Sequence, residues 1–169
     1  LFLADNEEDF IKRETKPGDF ETLTSRIVDR SLRPLFPNGF HYPVTISIMV
    51  VSSDSEVDMQ IAALHAANAA LYVSDIPVNT SIAAVRVGTV GDDIVINPTL
   101  SQQAQSELDL LVVGSGKDVV MIEMRTLATK NEEGQSANEF DESALVDVIA
   151  MAADAIETAT TTYEKAFRP

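Results

Sequence analysis

The sequence predicts an α+β domain in which helices pack against a mixed sheet built largely from hairpins. Two observations lead to this fold class. Apolar residues recur at the 3.6-residue period of a helix in three long segments, and Val- and Ile-rich runs with Gly-containing turns lie between them. The chain of 169 residues is 45% hydrophobic and 23% charged, which is enough for one domain with a substantial core.

The first predicted helix follows the turn residues 16–18 and ends before Pro34, because the residue that precedes a proline avoids helical geometry. Asp19 is its expected N-cap. Apolar residues recur along it at helical spacing: Phe20, Leu23, Ile27, Val28 and Leu32. Three arginines at i, i+4 and i+7 share a narrow stripe beside that apolar arc, here called the arginine stripe: Arg26, Arg30 and Arg33.

Two buried elements are predicted next. Residues 43–53 are rich in Val and Ile, which predicts a mostly buried strand. Residues 58–73 have apolar side chains almost all round, which predicts a helix buried on most sides.

Hairpins and a long helix complete the predicted domain. Residues 81–98 are predicted to turn at Gly91-Asp92, and residues 108–127 to turn at residues 114–116. The polar residues 130–140 are predicted to be a loop, and residues 141–167 a long amphipathic helix. Because neither an internal repeat nor a linker interrupts this order, residues 1–169 are expected to form one domain.

The composition excludes several classes of protein. The absence of cysteine excludes disulfides, thiolate metal sites and a cysteine nucleophile, and it fits a reducing cytosol. No apolar run approaches the ~20 residues of a membrane helix, and no signal peptide is visible. We therefore expect a cytoplasmic protein that does not contact a membrane.

Positive charge is concentrated in one part of an acidic chain. The formal net charge is −15, yet six of the 12 Lys and Arg residues fall within residues 12–33. That stretch carries +2, residues 1–11 carry −4 and the remainder carries −13. A basic helix face is often only solvated. Lys and Arg within reach of consecutive phosphates, next to an aromatic residue, would also suit a nucleic acid.

Acidic and imidazole side chains offer little catalytic chemistry. Asp54, Glu56 and Asp58 lie between a predicted strand and a helix, but the D-S-E-V-D sequence lacks the Gly and the terminal Glu of a calcium loop. Acids there also stabilise a helix N-terminus through its dipole. His65 is expected to be packed and hydrogen-bonded, and His41 to lie in a turn. The sequence therefore predicts neither a catalytic residue nor a metal site.

Long stretches of the chain resemble one family. They include "IKRETKPGDFETLTSRIVDRSLRPLFPNGF", "VVSSDSEVDMQIAALHAANAAL", "IPVNTSIAAVRVG" and "LDLLVVGSGKDVVMIEM". In this order they resemble the first ribonuclease PH-like core of the bacterial polynucleotide phosphorylase family. The resemblance implies a phosphate-dependent 3′-to-5′ exoribonuclease that releases nucleoside diphosphates in a reversible reaction of mRNA degradation.

The resemblance also implies cofactors and partners. Inorganic phosphate would be the co-substrate, and Mg²⁺ or Mn²⁺ would bind outside this segment, in a second core. Single-stranded RNA would be the substrate, three subunits would form a ring, and proteins of an RNA-degradation complex would attach. The first core would be catalytically silent, and it would grip RNA and help to form the ring.

Seven RNA-binding residues follow from the resemblance. The family's Phe-Phe-Arg-Arg loop corresponds here to Phe10, Ile11, Lys12 and Arg13, and its arginine helix corresponds to the arginine stripe. Active ribonuclease PH folds place a Gly-rich, Arg-containing phosphate turn where residues 54–58 carry three acids, which should repel phosphate. That departure counts against a stand-alone ribonuclease PH-type exonuclease, while a non-enzymatic interaction scaffold stays an alternative.

One further departure concerns the N-terminal part of the chain. In the family a strand and a long loop separate the two segments that meet here near residues 10 and 11. Either the strand and the loop are deleted at this join, or the sequence passes over a gap there; we favour a gap, because deletion of a core strand should be costly. Phe10 can therefore belong to either of the two segments.

Overall fold

The structure, a computed structural model, describes residues 17–78, 80–126, 128–131, 134–137 and 141–167. Its helices are α1 (Asp19–Leu32), α2 (Met59–Tyr72), α3 (Leu100–Gln103) and α4 (Glu142–Phe167), and a 3-10 turn, Arg33–Leu35, follows α1. Its strands are β1 (Ala83–Val90), β2 (Asp93–Ile96), β3 (Leu108–Ser115), β4 (Asp118–Thr126), β5 (Ala128–Asn131) and β6 (Gly134–Ala137).

Four of the strands form one sheet in the order β2-β1-β3-β4, and β5 pairs with β6 in a separate ribbon. The α+β class is therefore confirmed. All pairs among the described strands are antiparallel rather than mixed. This difference follows from connection length, because short hairpin turns join only antiparallel neighbours and parallel pairing needs a long crossover.

The core has two parts, one on each face of this sheet. On one face α1 and α2 pack Ile27, Leu32 and Leu64 against Leu111 and Val113. On the other face α4 covers the remaining inward side chains with Val148, Ala152 and Ile156. The sheet thus lies between two helical layers, and burying each apolar side chain stabilises the fold by about 1.5–3 kcal/mol.

Both predicted hairpins form, but the second turns later than predicted. β3 continues through Ser115, which pairs with Asp118, so that the turn lies at Gly116. Gly116 has a positive φ of 55°, a conformation that glycine adopts without steric cost. Gly114 lies in the strand at a register shift, where an added Cβ would come within 2.5 Å of the Asp118 carbonyl oxygen.

The start of α1 differs by one residue from the prediction. Gly18 is the N-cap, and its carbonyl oxygen accepts from the Thr22 N–H at 3.0 Å. Asp19, the predicted N-cap, is instead the first helical residue. Its carboxylate still favours the positive end of the helix dipole. At the other end the α-helix stops at Leu32, and Pro34 lies in the 3-10 turn, as the position of the proline predicts.

The strand predicted at residues 43–53 is not confirmed as a paired strand, because among the described residues the segment joins no sheet. Ile46 and Ile48 pack partly against the core. Met49 and Val51, in contrast, are 84% and 91% exposed. A strand requires a neighbouring backbone for its N–H and C=O groups, and none pairs with this segment in the part of the chain that the structure describes.

The predicted loop at residues 130–140 is also wrong in part. Residues 128–131 and 134–137 pair as the antiparallel ribbon of β5 and β6. The polar composition of residues 130–140 predicted a loop. Backbone pairing, however, does not require apolar side chains, so these strands could form in a polar segment. The short helix α3 was not predicted either, although Thr99 and Gln102 form a reciprocal capping box at its start.

The predicted positions of the two remaining helices, α2 and α4, are confirmed. α4 spans residues 142–167, and α2 begins after its N-cap Asp58. α2 is less buried than predicted, because Ala62, Ala66 and Ala70 form an exposed side. Alanine counts as apolar in the sequence pattern, but its small side chain is also tolerated in solvent. The pattern therefore did not reveal the exposed side.

Candidate RNA-contacting surface and the neighbouring acidic turn

The predicted RNA-binding residues fall into two groups. Phe10, Ile11, Lys12 and Arg13 lie outside the described residues. The arginine stripe lies on α1 and on the 3-10 turn that continues it. All three of its arginines are exposed, because the apolar arc of α1 is turned towards the core.

The three arginines of the stripe differ in how far they are engaged. The Arg33 Nη2 atom donates to both carboxylate oxygens of Asp29, at 2.6 and 2.8 Å. The Arg30 Nη1 atom lies 3.9 Å from Glu123 Oε2. Arg26 forms no ion pair with any residue in the described ranges. Among the described residues, the stripe therefore ranges from Arg26, which pairs with none of them, to Arg33, which is held by both carboxylate oxygens of Asp29.

The ion pairs of the stripe leave its arginines able to bind another anion. The side chains of Arg30 and Arg33 are 58% and 76% exposed, and exposed ion pairs contribute only about 0–1 kcal/mol. Such pairs exchange readily for another anion. Together with Arg26, the stripe can therefore contact successive phosphates of a polyanion.

The acidic turn, residues 54–58, uses its carboxylates internally. Asp54 Oδ1 accepts from the Glu56 N–H at 2.6 Å. Glu56 reaches the start of α3, where it accepts from the Ser101 N–H at 3.2 Å and from the Ser101 hydroxyl at 2.5 Å. The hydrogen bonds from Ser101 lower the pKa of Glu56, because they stabilise the ionised carboxylate.

Asp58 joins the acidic turn to the sheet. Its Oδ1 atom accepts from the backbone N–H groups of Gln60 and Ile61, at 2.9 and 3.3 Å, and so caps α2. Its Oδ2 atom pairs with Arg86 Nε at 2.5 Å. The sequence prediction that this acid has a structural role at a helix N-terminus is consistent with both contacts.

Arg86, which the sequence analysis missed, is the centre of this network. It is only 5% exposed, and it also binds the carboxylate of Asp109 and, at 2.7 Å, Gln60 Oε1. Burial lowers the pKa of Arg86, but attraction to Asp58 and Asp109 outweighs burial and raises that pKa. An arginine inside the otherwise apolar run "IAAVRVG" was the available signal, since a buried cation requires paired anions.

The acidic turn is therefore poorly suited to bind phosphate or a metal. Its carboxylates accept from the backbone N–H groups that would otherwise face an anion, and their charge repels phosphate. Among the described residues, no group of three or more His, Cys, Asp or Glu side chains is arranged to hold a metal ion.

The two histidines differ in environment. His65 is partly buried, and its Nε2 atom lies 2.9 Å from the Ala84 backbone nitrogen and 3.0 Å from the Ala84 carbonyl oxygen, so the ring can hydrogen-bond this backbone in either tautomer. Tyr163 packs edge-on against its ring at 5.7 Å. Burial lowers the pKa of His65 and outweighs the opposite effect of the hydrogen bond with the Ala84 backbone, because burial disfavours the charged ring. The predicted packed and hydrogen-bonded histidine is confirmed, and His41 is exposed.

Comparisons with known proteins agree over nearly the whole chain. The family model for domain 1 of the 3′ exoribonuclease family matches residues 2–77, and the model for domain 2 matches residues 80–155. Within the described helices, none combines the length and the apolar character needed to cross a membrane.

Three similar curated proteins are each named polyribonucleotide nucleotidyltransferase. The polyribonucleotide nucleotidyltransferase of Sulfurovum sp. (strain NBC37-1) is 66% identical over 179 residues, covering 95% of this chain and 25% of its own. Those of Campylobacter hominis and Aliarcobacter butzleri are 54% and 52% identical, covering 94% of this chain and 22% and 23% of their own. The chain thus spans about a quarter of the length of these relatives.

A solved structure shares the fold. The crystal structure of rice (Oryza sativa) Rrp46 superposes with a TM-score of 0.61 at 12% identity, covering 89% of this chain and 66% of that one. At this identity the likeness is one of fold.

Proposed function

Because the chain belongs to the 3′ exoribonuclease family, we propose that it is the RNA-gripping, ring-forming and catalytically silent first core of a polyribonucleotide nucleotidyltransferase. In that enzyme, inorganic phosphate attacks the 3′-terminal phosphodiester of RNA and releases a nucleoside diphosphate. The chain, residues 1–169, contributes a surface for RNA and a wall of the ring rather than the reacting groups.

The arginine stripe carries this proposal. It presents three exposed cations on one side of a helix in a chain of net charge −15. On so acidic a protein, a cation stripe favours contact with a polyanion at that stripe over the rest of the surface. Lys12 and Arg13 extend the stripe along the sequence, and Phe10 and Ile11 supply apolar contact, since a stacked base adds about 1–3 kcal/mol.

The acidic turn supports catalytic silence. Glu56 and Asp58 accept from backbone N–H groups at the starts of α3 and α2, so carboxylates stand where a phosphate-binding turn would present donors. A stand-alone ribonuclease PH-type exonuclease would require phosphate to approach this place. A non-enzymatic scaffold, in turn, would not require an arginine stripe.

The cofactors of the enzyme then belong to other parts of it. Mg²⁺ or Mn²⁺ would neutralise charge at the reacting phosphates, bound by residues outside this segment. The carboxylates of residues 54–58 are engaged by backbone groups, by Ser101 and by Arg86, and so do not offer a free set of ligands.

The proposed partners are single-stranded RNA, two further copies of the subunit in a homotrimeric ring, and proteins of an RNA-degradation complex. The proposed location is the cytoplasm, where mRNA is degraded. Relatives named polyribonucleotide nucleotidyltransferase support this assignment.

Phosphorolysis by the purified chain tests catalytic silence. Incubated with poly(A) and inorganic phosphate, the chain should release no ADP above a blank without protein, and the complete Sulfurovum enzyme serves as the positive control. ADP release that depends on phosphate and on the chain would overturn the silent-core assignment.

A further inference from the structure

Arg125 is an exposed cation near the end of β4, and the fold brings it beside the arginine stripe. We propose that Arg125 and Arg26 together bind a phosphate of single-stranded RNA, so that the surface for RNA continues from α1 onto the sheet. This role rests on the proposed function and deepens it, because it adds a contact that the stripe alone does not contain.

α1 and β4 lie next to each other and run in opposite directions. The Ser31 hydroxyl of α1 lies 3.6 Å from Met121 Sδ of β4, and Arg30 Nη1 lies 3.9 Å from Glu123 Oε2. A step back along α1 thus corresponds to a step forward along β4. The N-terminal half of α1 therefore lies towards the end of β4 that carries Arg125.

Hydrogen bonds through Gln60 give the same alignment. Gln60 Nε2 donates to Thr24 Oγ1 in the first half of α1, at 3.4 Å, and Gln60 Oε1 accepts from Arg86 Nη2 at 2.7 Å. Arg86 in turn binds the carboxylate of Asp109, and Asp109 is paired with Arg125 between β3 and β4. The first half of α1 and Arg125 therefore lie at the same part of the sheet.

The spacing along the two elements makes Arg26 and Arg125 neighbours. Arg26 precedes Arg30 by about one helical turn, which is about 6 Å along the helix axis. Arg125 follows Glu123 by two residues, which is about 6.8 Å along β4, and both side chains face the same side of the sheet because side chains alternate along a strand. Both steps begin at the contact between Arg30 and Glu123 and lead in the same direction. Arg26 and Arg125 thus lie beside each other where α1 meets β4.

Arg125 keeps its charge for a ligand. Its side chain is 48% exposed, and its Nε atom lies 3.9 Å from Asp109 Oδ2, which is longer than an N–H···O hydrogen bond. Asp109 is already bound by the buried Arg86, so this carboxylate neutralises Arg125 only in part. Among the described residues, Arg26 forms no ion pair at all. Two neighbouring cations with so little compensation repel each other, and an anion between them would remove that repulsion.

The extent of this surface indicates a polymer rather than a small ion. Arg26 and Arg33 are about 10.5 Å apart along the axis of α1 and its 3-10 turn, and Arg125 adds a further cation beside Arg26. Guanidinium groups bind phosphate oxygens through a planar fork of N–H donors. A free phosphate ion would fill one such position, whereas successive phosphates of one RNA strand can occupy all of them. RNA is therefore the ligand that we assign to Arg125.

The salt dependence of poly(A) binding by the purified 169-residue chain tests the role of Arg125. Arg125→Ala should lower the slope of log K against log salt by about 0.7, which is the contribution of one phosphate contact on a single strand. Arg125→Lys keeps a cation at this position and should keep the slope of the wild-type chain. Because Arg125 is exposed, both variants should retain the fold, and circular dichroism checks this. A wild-type slope in Arg125→Ala would overturn the proposal.

Lys117→Ala is the matched control, because it removes the same unit of positive charge from an exposed side chain. Lys117 lies at the turn between β3 and β4, 3.7 Å from Asp154 and 3.6 Å from Glu157 of α4. α4 covers the face of the sheet opposite to α1, so this variant should leave the slope unchanged. An equal fall of the slope in Lys117→Ala and Arg125→Ala would mean that net charge, rather than a contact at Arg125, sets the slope, and would overturn the proposal.

Inorganic phosphate, titrated into the chain in place of RNA, separates the two possible sources of the phosphate group. We expect no saturable binding of the free ion by calorimetry. Saturable binding that Arg125→Ala abolishes would make inorganic phosphate the ligand, and the assignment to RNA would be wrong.

A triple variant with Arg26→Ala, Arg30→Ala and Arg33→Ala, measured in the same poly(A) assay, separates this role from the proposed function. A lower slope in the triple variant together with a wild-type slope in Arg125→Ala would reject the role of Arg125 alone. Wild-type slopes in both variants would reject the RNA-contacting surface of the proposed function as well.

Discussion

Arg86 and the arginine stripe use the same residue type for opposite purposes. Arg86 is buried on β1 and held by Asp58, Asp109 and Gln60. The arginines of the stripe are exposed: Arg33 pairs with one exposed carboxylate, Arg30 lies 3.9 Å from another, and Arg26 pairs with none in the described part of the chain. Arg86 therefore fixes the start of α2 against the sheet, whereas the stripe keeps its charge for a ligand. The number of anions in contact, and not the charge itself, separates a structural arginine from a binding one.

Among the substitutions that test this comparison, the removal of Arg86 is expected to lower the stability of the chain most. Arg86→Met should lower the free energy of unfolding by about 3–5 kcal/mol, because it leaves the largely buried Asp58 without its cation and leaves Asp109 only the more distant Arg125. Urea denaturation measures the change. Arg125→Met is the matched control, because Arg125 is 48% exposed and lies 3.9 Å from Asp109, and it should cost less than about 1 kcal/mol. Similar losses for the two variants would remove the distinction between them.

Asp58 has two roles: it caps α2 and it pairs with Arg86. Two substitutions separate the contributions of these roles to stability. Asp58→Asn keeps an oxygen to cap α2 but removes a negative charge from Arg86, so the free energy of unfolding should fall by about 1–3 kcal/mol. Asp58→Ala, which also removes the cap, should cost about 1 kcal/mol more. If the Asn variant were as stable as the wild-type chain by urea denaturation, the ion pair with Arg86 would contribute nothing.

His65, like Arg86, is a basic residue away from solvent, but its hydrogen-bond partner is the Ala84 backbone rather than a carboxylate. Burial lowers the pKa of His65, so the unfolded chain binds its proton more readily than the folded one. The stabilising contribution is therefore complete above the unfolded pKa of about 6.5 and is lost as the pH falls through the folded pKa. Tyr163, the other titratable group against this ring, stays neutral in that range because burial raises its pKa.

Urea denaturation between pH 8 and pH 5 measures this dependence. His65→Gln should flatten the pH profile in that window. An unchanged profile in the Gln variant would assign the pH dependence to other groups.

The smallest effect on stability is expected at the paired end of the stripe. Arg33→Ala should change the free energy of unfolding by less than about 0.5 kcal/mol, because its pair with Asp29 is an exposed i, i+4 contact. Thermal melting with and without 1 M NaCl gives the value. A loss above about 1 kcal/mol would mean that Arg33 belongs to the fold, as Arg86 does.

Local signals in the sequence predicted most of the fold. Turn residues such as Gly91, the proline after α1 and the helical spacing of apolar residues act over a few positions, so the three long helices and both hairpins could be predicted from them, whereas the short α3 was missed. Asp58 was likewise recognisable as a residue at a helix N-terminus.

Features that depend on distant partners could not be predicted in this way. The carboxylates that hold Arg86 lie 28 and 23 residues away in sequence, and only the folded chain brings them together. Residues 43–53 have the composition of a strand, but pairing also depends on a neighbouring backbone. The arginine stripe could be read from its spacing, whereas the difference in pairing between Arg26 and Arg33 depends on which acids fold beside the stripe.

The salt dependence of RNA binding tests the central distinction most directly. Poly(A) binding by the purified chain is compared with that of a variant carrying Arg26→Ala, Arg30→Ala and Arg33→Ala. Each phosphate contact on a single strand contributes about 0.7 to the slope of log K against log salt, so the slope should fall by about 2. Lys117→Ala removes an exposed cation that lies beside Asp154 and Glu157 of α4, and it should leave the slope unchanged. An unchanged slope in the triple variant would show that the stripe does not contact RNA.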